Sequence, residues 1–321
     1  DMELLGIRYD FMGHCAYTAV TTLNCPVSTK SIRPIPHFLQ IDVSNSAHNP
    51  NLPAITYVKN VYVELFEDGV DEGGKVKLAM KSHLNDSGMK LYINDVLHLF
   101  RQKGLGNYIY DDPYNRFQVK LFKRKGALKL TTKSGVTIEF NGRNKVAITL
   151  DGVWKDKVCG MCGDFDGNAK NEFKDREGRL FDSPVAFGKY WLSDRITENN
   201  HPNGDSCDAV KEPPKCDQKN KRLAEYVCLP ILGKGQVNLF DACLPEIPDK
   251  VSFMLYETCI YDYCITGRSE SVCHAMDKLS AMCDDVRRGY DDWTRYCEAT
   301  NKNDIFYSES DLERLLSSAG L

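Results

Sequence analysis

Residues 159–173 read Cys-Gly-Met-Cys-Gly-Asp-Phe-Asp-Gly-Asn-Ala-Lys-Asn-Glu-Phe, and the reading of the whole 321-residue chain starts from this stretch. Five oxygen-bearing side chains, Asp164, Asp166, Asn168, Asn171 and Glu172, crowd around Gly167. Hard cations such as Ca2+ take roughly six to eight oxygens from carboxylates, amides and backbone carbonyls. If the loop curls, residues 164, 166 and 168 turn toward one point, and Gly167 permits the tight turn. Asn171 and Glu172 then close the shell. Calcium is the expected cofactor, with Asp164, Asp166, the Asn168 backbone, Asn171 and Glu172 as ligands. The bland alternative is a solvated acidic turn; Cys159 and Cys162, which anchor the loop, weigh against it. It is not an EF-hand, because the twelfth position counted from Asp164 is Asp175 and not glutamate.

The 13 cysteines set the compartment. Cys15 and Cys25 lie near the start, and the others fall between Cys159 and Cys297. There is one Cys-x-x-Cys and no second at zinc-ribbon spacing, so disulfides in an oxidising compartment are expected. Redox chemistry at this motif is disfavoured: neighbouring carboxylates raise a thiol pKa, whereas thioredoxin-like sites lower it. A net charge of -4 with 27% charged residues gives no sign of a nucleic-acid partner. No apolar run approaches the roughly 20 residues of a membrane helix. A glycosylation sequon stands at Asn85. Asp1 does not read as an initiator region, so processing from a longer precursor is expected.

Residues up to about 150 read as β. Polar and apolar residues alternate over 38–43, 56–65, 76–81, 117–122, 128–132, 136–140 and 145–150. Asp-Gly, Gly-Gly and Asn-Gly pairs separate them, which predicts an antiparallel sandwich or barrel. After Cys207 the period becomes helical over 217–228, 249–259 and 271–283. Residues 201–214 have a linker's composition. The expected organisation is a β domain over 1–207, a small disulfide-rich α-helical module over 208–299, and a polar tail over 300–321 with one short helix.

Taken together, three ordered motifs resemble one family. Residues 159–173 are similar to the CGLCGNFNG…(N/D)DF signature of von Willebrand factor type D domains. The opening, Gly6, Tyr9, Phe11, Gly13, Cys15 and then Cys25, resembles that family's G-x-x-Y-x-F-x-G-x-C pattern. Phe187-Gly188, Trp191 and Cys207 resemble its closing segment. Cys216, Cys228, Cys243, Cys259, Cys264, Cys273, Cys283 and Cys297 resemble the eight-cysteine module that commonly follows. Two departures stand out: Leu5 replaces a usual aspartate, which weakens a metal site, and Asp164 replaces a usual asparagine, which adds negative charge.

The resemblance implies pairs Cys15–Cys207 and Cys25–Cys159. It assigns the partner of Cys162 to a cysteine upstream of the first strand, on an N-terminal segment that can be cleaved yet stay disulfide-linked. Within the eight-cysteine module 105 connectivities remain open. The function implied is that of an extracellular, calcium-binding structural or interaction module in a matrix, mucus, egg-coat or clotting-like assembly, with extracellular proteins as partners. Two alternatives stay open: a secreted monooxygenase like ostracod luciferases, and an inhibitor that sequesters a growth factor. No catalytic motif supports an enzyme: histidines do not pair at i+4, and Gly-x-Ser-x-Gly, HExxH and phosphate loops are absent.

Overall fold

The computed structural model describes residues 13–25, 37–47, 56–67, 75–82, 89–98, 102–103, 107–122, 127–142, 145–168, 171–195, 215–234, 237–285, 293–300 and 309–318. The chain divides into two compact units, Asp1–Pro213 and Pro214–Leu321.

The first unit holds two antiparallel six-stranded meanders. One runs β1 (Ala16–Thr21), β2 (His37–Ala47), β3 (Thr56–Glu67), β4 (Lys75–Ser82), β5 (Met89–Ile93) and β6 (Val96–His98). The other runs β7 (Gln102–Lys103), β8 (Asn107–Asp111), β9 (Phe117–Phe122), β10 (Ala127–Thr132), β11 (Val136–Phe140) and β12 (Val146–Leu150). Alternation in sequence becomes rows across the sheets. Ile41, Val63, Leu78 and Ile93 line up across β2–β5. Val119, Leu130, Ile138 and Ile148 line up across β9–β12. Both sets belong to one buried cluster, so the sheets pack face to face as a sandwich. The sandwich-or-barrel ambiguity of the sequence is settled in favour of the sandwich.

β1 breaks the alternation. All six of its residues are buried. One edge pairs with β2, and the other is covered by backbone from residues 159–162 and 191–193. The 191–193 segment follows α1 (Pro184–Tyr190), which Ser183 caps by accepting from the Val185 N–H. Beyond it Arg195 reaches back over the sheet. Its Nε donates to Asp42 at 3.0 Å, its Nη2 pairs with Glu64, and its guanidinium lies over the Tyr62 ring. Burial pushes the Asp42 carboxyl above its ordinary range, although Thr18, Gln40 and Arg195 all donate to it.

The second unit is helical: α2 (Gln218–Cys228), α3 (Asp249–Thr266), α4 (Ser269–Asp285), α5 (Thr294–Glu298) and α6 (Glu309–Ser318). The helices expected over 217–228, 249–259 and 271–283 are all present. α3 runs about two turns further, to Thr266, and Gly267 takes the left-handed conformation that ends it. One connectivity out of the many possible is realised: Cys216–Cys264, Cys228–Cys259, Cys243–Cys283 and Cys273–Cys297. Two of these staple α3 to α2 and to Cys216, two residues ahead of α2; the other two hold α4. The segment read as a tail contributes α6, whose Leu316 is buried in the same core as Ala224 and Val227 of α2. None of the described helices is long and apolar enough to cross a membrane.

The turn between β8 and β9 hangs on one ion pair. Arg116 donates from Nε and Nη2 to the two oxygens of Asp112, at 2.9 and 3.0 Å, and its backbone N–H adds a third bond. Both side chains are shielded from water. Burial alone would raise the Asp112 pKa, but the Arg116 bonds and charge outweigh it and hold the carboxyl below its ordinary value of 3.8. A depressed folded-state pKa means that the stabilisation is complete above that ordinary value and is lost as pH falls through the folded one. Asp112→Asn is therefore expected to cost about 1–3 kcal/mol at neutral pH. In denaturant titrations from pH 7 down to pH 2, the gap between wild type and variant should close only at the acid end.

Candidate functional site

The acidic loop is carried by β1. The Cys159 and Thr21 backbones exchange hydrogen bonds of 2.8 and 2.9 Å. Met161 N–H donates to Thr18 O and Cys162 N–H to Ala19 O. The Cys25–Cys159 disulfide locks the same register, with Cα atoms 5.5 Å apart. Gly160 has φ +139°, and a Cβ there would stand 2.3 Å from the Ala19 carbonyl oxygen. Only glycine allows the two backbones to approach so closely. Cys15 is also disulfide-bonded; its expected partner Cys207 and the sequon at Asn85 lie outside the described residues.

Past Cys162 the chain turns at Gly163, and three carboxylates converge. Asp164, Asp166 and Glu172 each offer an oxygen within 4.8 Å of the others. The loop holds itself in this shape. The Asp164 N–H donates to Glu172 Oε2 at 3.1 Å, the Asn168 N–H to Asp166 Oδ1 at 2.6 Å, and Asn171 Nδ2 to Asp166 Oδ2 at 2.8 Å. Asn171 Oδ1 and Glu172 Oε1 are buried and have no hydrogen-bond partner. Buried oxygens left unmatched cost free energy, so a cation is the kind of group this set fits. The Asn168 residue is exposed, and its backbone N–H donates to Asp166. Asp175 faces the other way and accepts from the Glu177 and Arg179 N–H groups and from Arg179 Nε.

Lys174 is the participant that the sequence reading missed. Its Nζ lies 2.7 Å from Asp164 Oδ2 and 3.5 Å from Asp166 Oδ2. The sequence offers little to single it out, since Lys170 and Arg176 stand nearby in the same acidic stretch. Trp191 Nε1 fixes its backbone by donating to the Lys174 carbonyl at 3.2 Å. Phe173 packs on Phe187 at 5.1 Å, so helix α1 braces the loop from behind.

The charges sort accordingly. Burial works to raise Asp166, yet bonds from Asn171 and Asn168 and the Lys174 charge bring it below its usual range. Burial, seconded by the Asp164 and Asp166 charges, leaves Glu172 above its usual range. Burial would lower Lys174, but Asp164 and Asp166 outweigh it and raise it. Among the described residues Cys162 is the cysteine without a disulfide. Burial and the Glu172 charge push its thiol up to about 12. Cys159 is bonded to Cys25 and not to Cys162, so the two cysteines of the Cys-x-x-Cys do not form a redox pair with each other here.

A disulfide-locked β-sandwich that carries a cysteine-anchored acidic loop on its first strand, followed in sequence by a disulfide-rich helical unit, defines a class of secreted module. The von Willebrand factor type D domain family matches residues 6–179, and the chain belongs to it. Rat (Rattus norvegicus) Mucin-2 is 25% identical over 87% of this chain and 15% of its own length. Human (Homo sapiens) IgGFc-binding protein is 26% identical over 94% of this chain and 5% of its own length. Mouse (Mus musculus) Alpha-tectorin is 23% identical over 90% and 12% respectively. These relatives are secreted or extracellular proteins. The chain spans a small part of each.

The glycine requirement is open to a direct check. Gly160→Ala should lower stability by at least roughly 1–3 kcal/mol, the scale of one strained backbone position, and more through the clash with Ala19. Gly178→Ala also takes a positive φ, +81°, but meets nothing within 4 Å. It should show the backbone cost alone, about 1–2 kcal/mol. Equal losses in urea unfolding would mean that the close approach at Gly160 does not matter.

Proposed function

We propose that this chain is an extracellular structural and interaction module whose acidic loop binds calcium. The observation that carries the reading is the convergence of Asp164, Asp166 and Glu172 beside two buried, unmatched oxygens of Asn171 and Glu172. The ligands are Asp164, Asp166, the Asn168 backbone, Asn171 and Glu172. The donor set is all oxygen, which suits a hard cation. When bound, calcium would supply charge neutralisation and rigidity. The chain's own residues do the rest: Gly163 brings Glu172 under the loop, and the β1 ladder fixes its base. Lys174 competes for Asp164 and Asp166.

Calcium binds the folded state, so it should raise the melting temperature; at a hundredfold excess over Kd the gain is about 2.7 kcal/mol. A melting curve that is the same in chelator and in millimolar calcium would sink the reading. Asp166→Ala should remove most of the shift. Lys174→Met should move the calcium midpoint to lower concentration, roughly tenfold if the competing charge is worth about 1.4 kcal/mol.

Cys162 belongs to the same proposal. Its partner is a cysteine on an N-terminal segment, as the family pattern implies, and the bond ties that segment to the acidic loop. Peptide mapping of the natural protein under non-reducing conditions should recover Cys162 in a disulfide. Its recovery as an alkylated free thiol after denaturation would end the idea.

A further inference from the structure

The outward face of the first sheet carries a charge pattern that the module's architecture does not explain. Along β4, Val76, Leu78 and Met80 point into the core, which leaves Lys75, Lys77, Ala79 and Lys81 on the outer face. Register places Tyr62, Ala79 and Tyr92 in one row across β3, β4 and β5, and sets Lys81 directly opposite Lys90. Neighbours so placed have Cβ atoms about 5 Å apart, and like charges in that position are destabilising. The carboxylates on this face are already engaged: Glu64 by Lys75 at 2.6 Å and by Arg195, and Asp42 by Arg195. Lys77, Lys81 and Lys90 form no ion pair among the described residues. Lys81 instead stands over the rings of Tyr62 and Tyr92, at 5.8 and 5.0 Å from their centroids. Lys77 stands directly opposite Glu64, so four lysines and Arg195 face two carboxylates, Asp42 and Glu64, and the face keeps a surplus of positive charge on a protein whose net charge is -4.

We propose that this face binds a linear sulfated polysaccharide. The face is a pleated surface, so a ligand must lie along it and not enter it. At about 3.4 Å per residue, the charge running from Lys75 to Lys81 extends for about 20 Å. That length suits a chain with repeated anionic groups and exceeds one small anion. The cations are lysines, compact point charges on flexible stems that adapt to irregular anion spacing, where a planar arginine fork would select one geometry. The rings hold Lys81 upright above the sheet, and the clash between Lys81 and Lys90 is relieved once an anion lies between them. Among the secreted and extracellular proteins of this family, the linear polyanions within reach are sulfated glycans.

The test is elution of the full chain from immobilised heparin, with binding of a heparin oligosaccharide measured against salt. The triple variant Lys77→Gln, Lys81→Gln, Lys90→Gln should elute at lower salt. Its plot of log affinity against log salt should be shallower by about 2, the value for three lost contacts to a flexible polyanion. The matched control, Lys215→Gln, Lys219→Gln, Lys250→Gln, changes the net charge equally in the second unit and should behave as wild type. Failure of the wild type to bind at physiological ionic strength would overturn the proposal. So would equal weakening of both triples, or displacement by single-stranded DNA as effective, charge for charge, as by heparin. Should the triple variant melt early, the single exposed change Lys77→Glu replaces it, and wild-type elution of that variant would overturn the proposal.

Discussion

The backbone ladder between β1 and residues 159–162 is the contact on which the first unit is organised. β1 has two edges, and both are used: β2 on one side, and the Cys159–Cys162 and Trp191–Ser193 backbones on the other. A strand paired on both sides can be buried on both faces, and Ala16–Thr21 is. The ladder requires Gly160, since any Cβ there meets the Ala19 carbonyl. Through it the start of the acidic loop is as rigid as the sheet. The aromatic brace of Phe173, Phe187 and Trp191 then fixes the loop's far end.

This organisation explains what could be read from the sequence. Strands with one wet face show period-two alternation, and β2, β3, β4 and β9 to β12 were legible for that reason. β1 was not, because burial on both faces erases the alternation. β6 and β7, of three and two residues, are too short to show a period, and the β5–β6 connection is two residues, Asn94 and Asp95, both in the left-handed region. Among the helices, α2, α3 and α4 were visible from spacing and cysteines. α1 has only seven residues, too few to show a period. The pairing of the module's eight cysteines depends on which helices cross, which local pattern does not encode.

The acidic cluster was legible in its carboxylates and not in its balance. Asp164, Asp166, Asn171 and Glu172 come together as their spacing suggested, because a loop that reverses at Gly163 and Gly167 has little other place to put them. Lys174 was missed because lysines and arginines interspersed with acids, as Lys170, Lys174 and Arg176 are, most often point to water. Here the Trp191 bond to its own carbonyl aims its backbone so that the side chain folds over the loop. A cation supplied by the chain itself then shares the cluster, so any ion bound there would compete with a neighbour in sequence.

The Cys25–Cys159 bond closes a loop of 134 residues, and strands β2 to β12 all lie within it. Consider tension applied between β1 and the acidic loop, inside the bond that Cys15 makes. Tension entering along β1 reaches Cys25 and crosses the sulfur–sulfur bond to Cys159. It leaves toward the acidic loop without passing through the chain between those cysteines. Those eleven strands are off the load path. Under force the covalent bond bears the strain, and the sandwich can extend only once that bond is reduced.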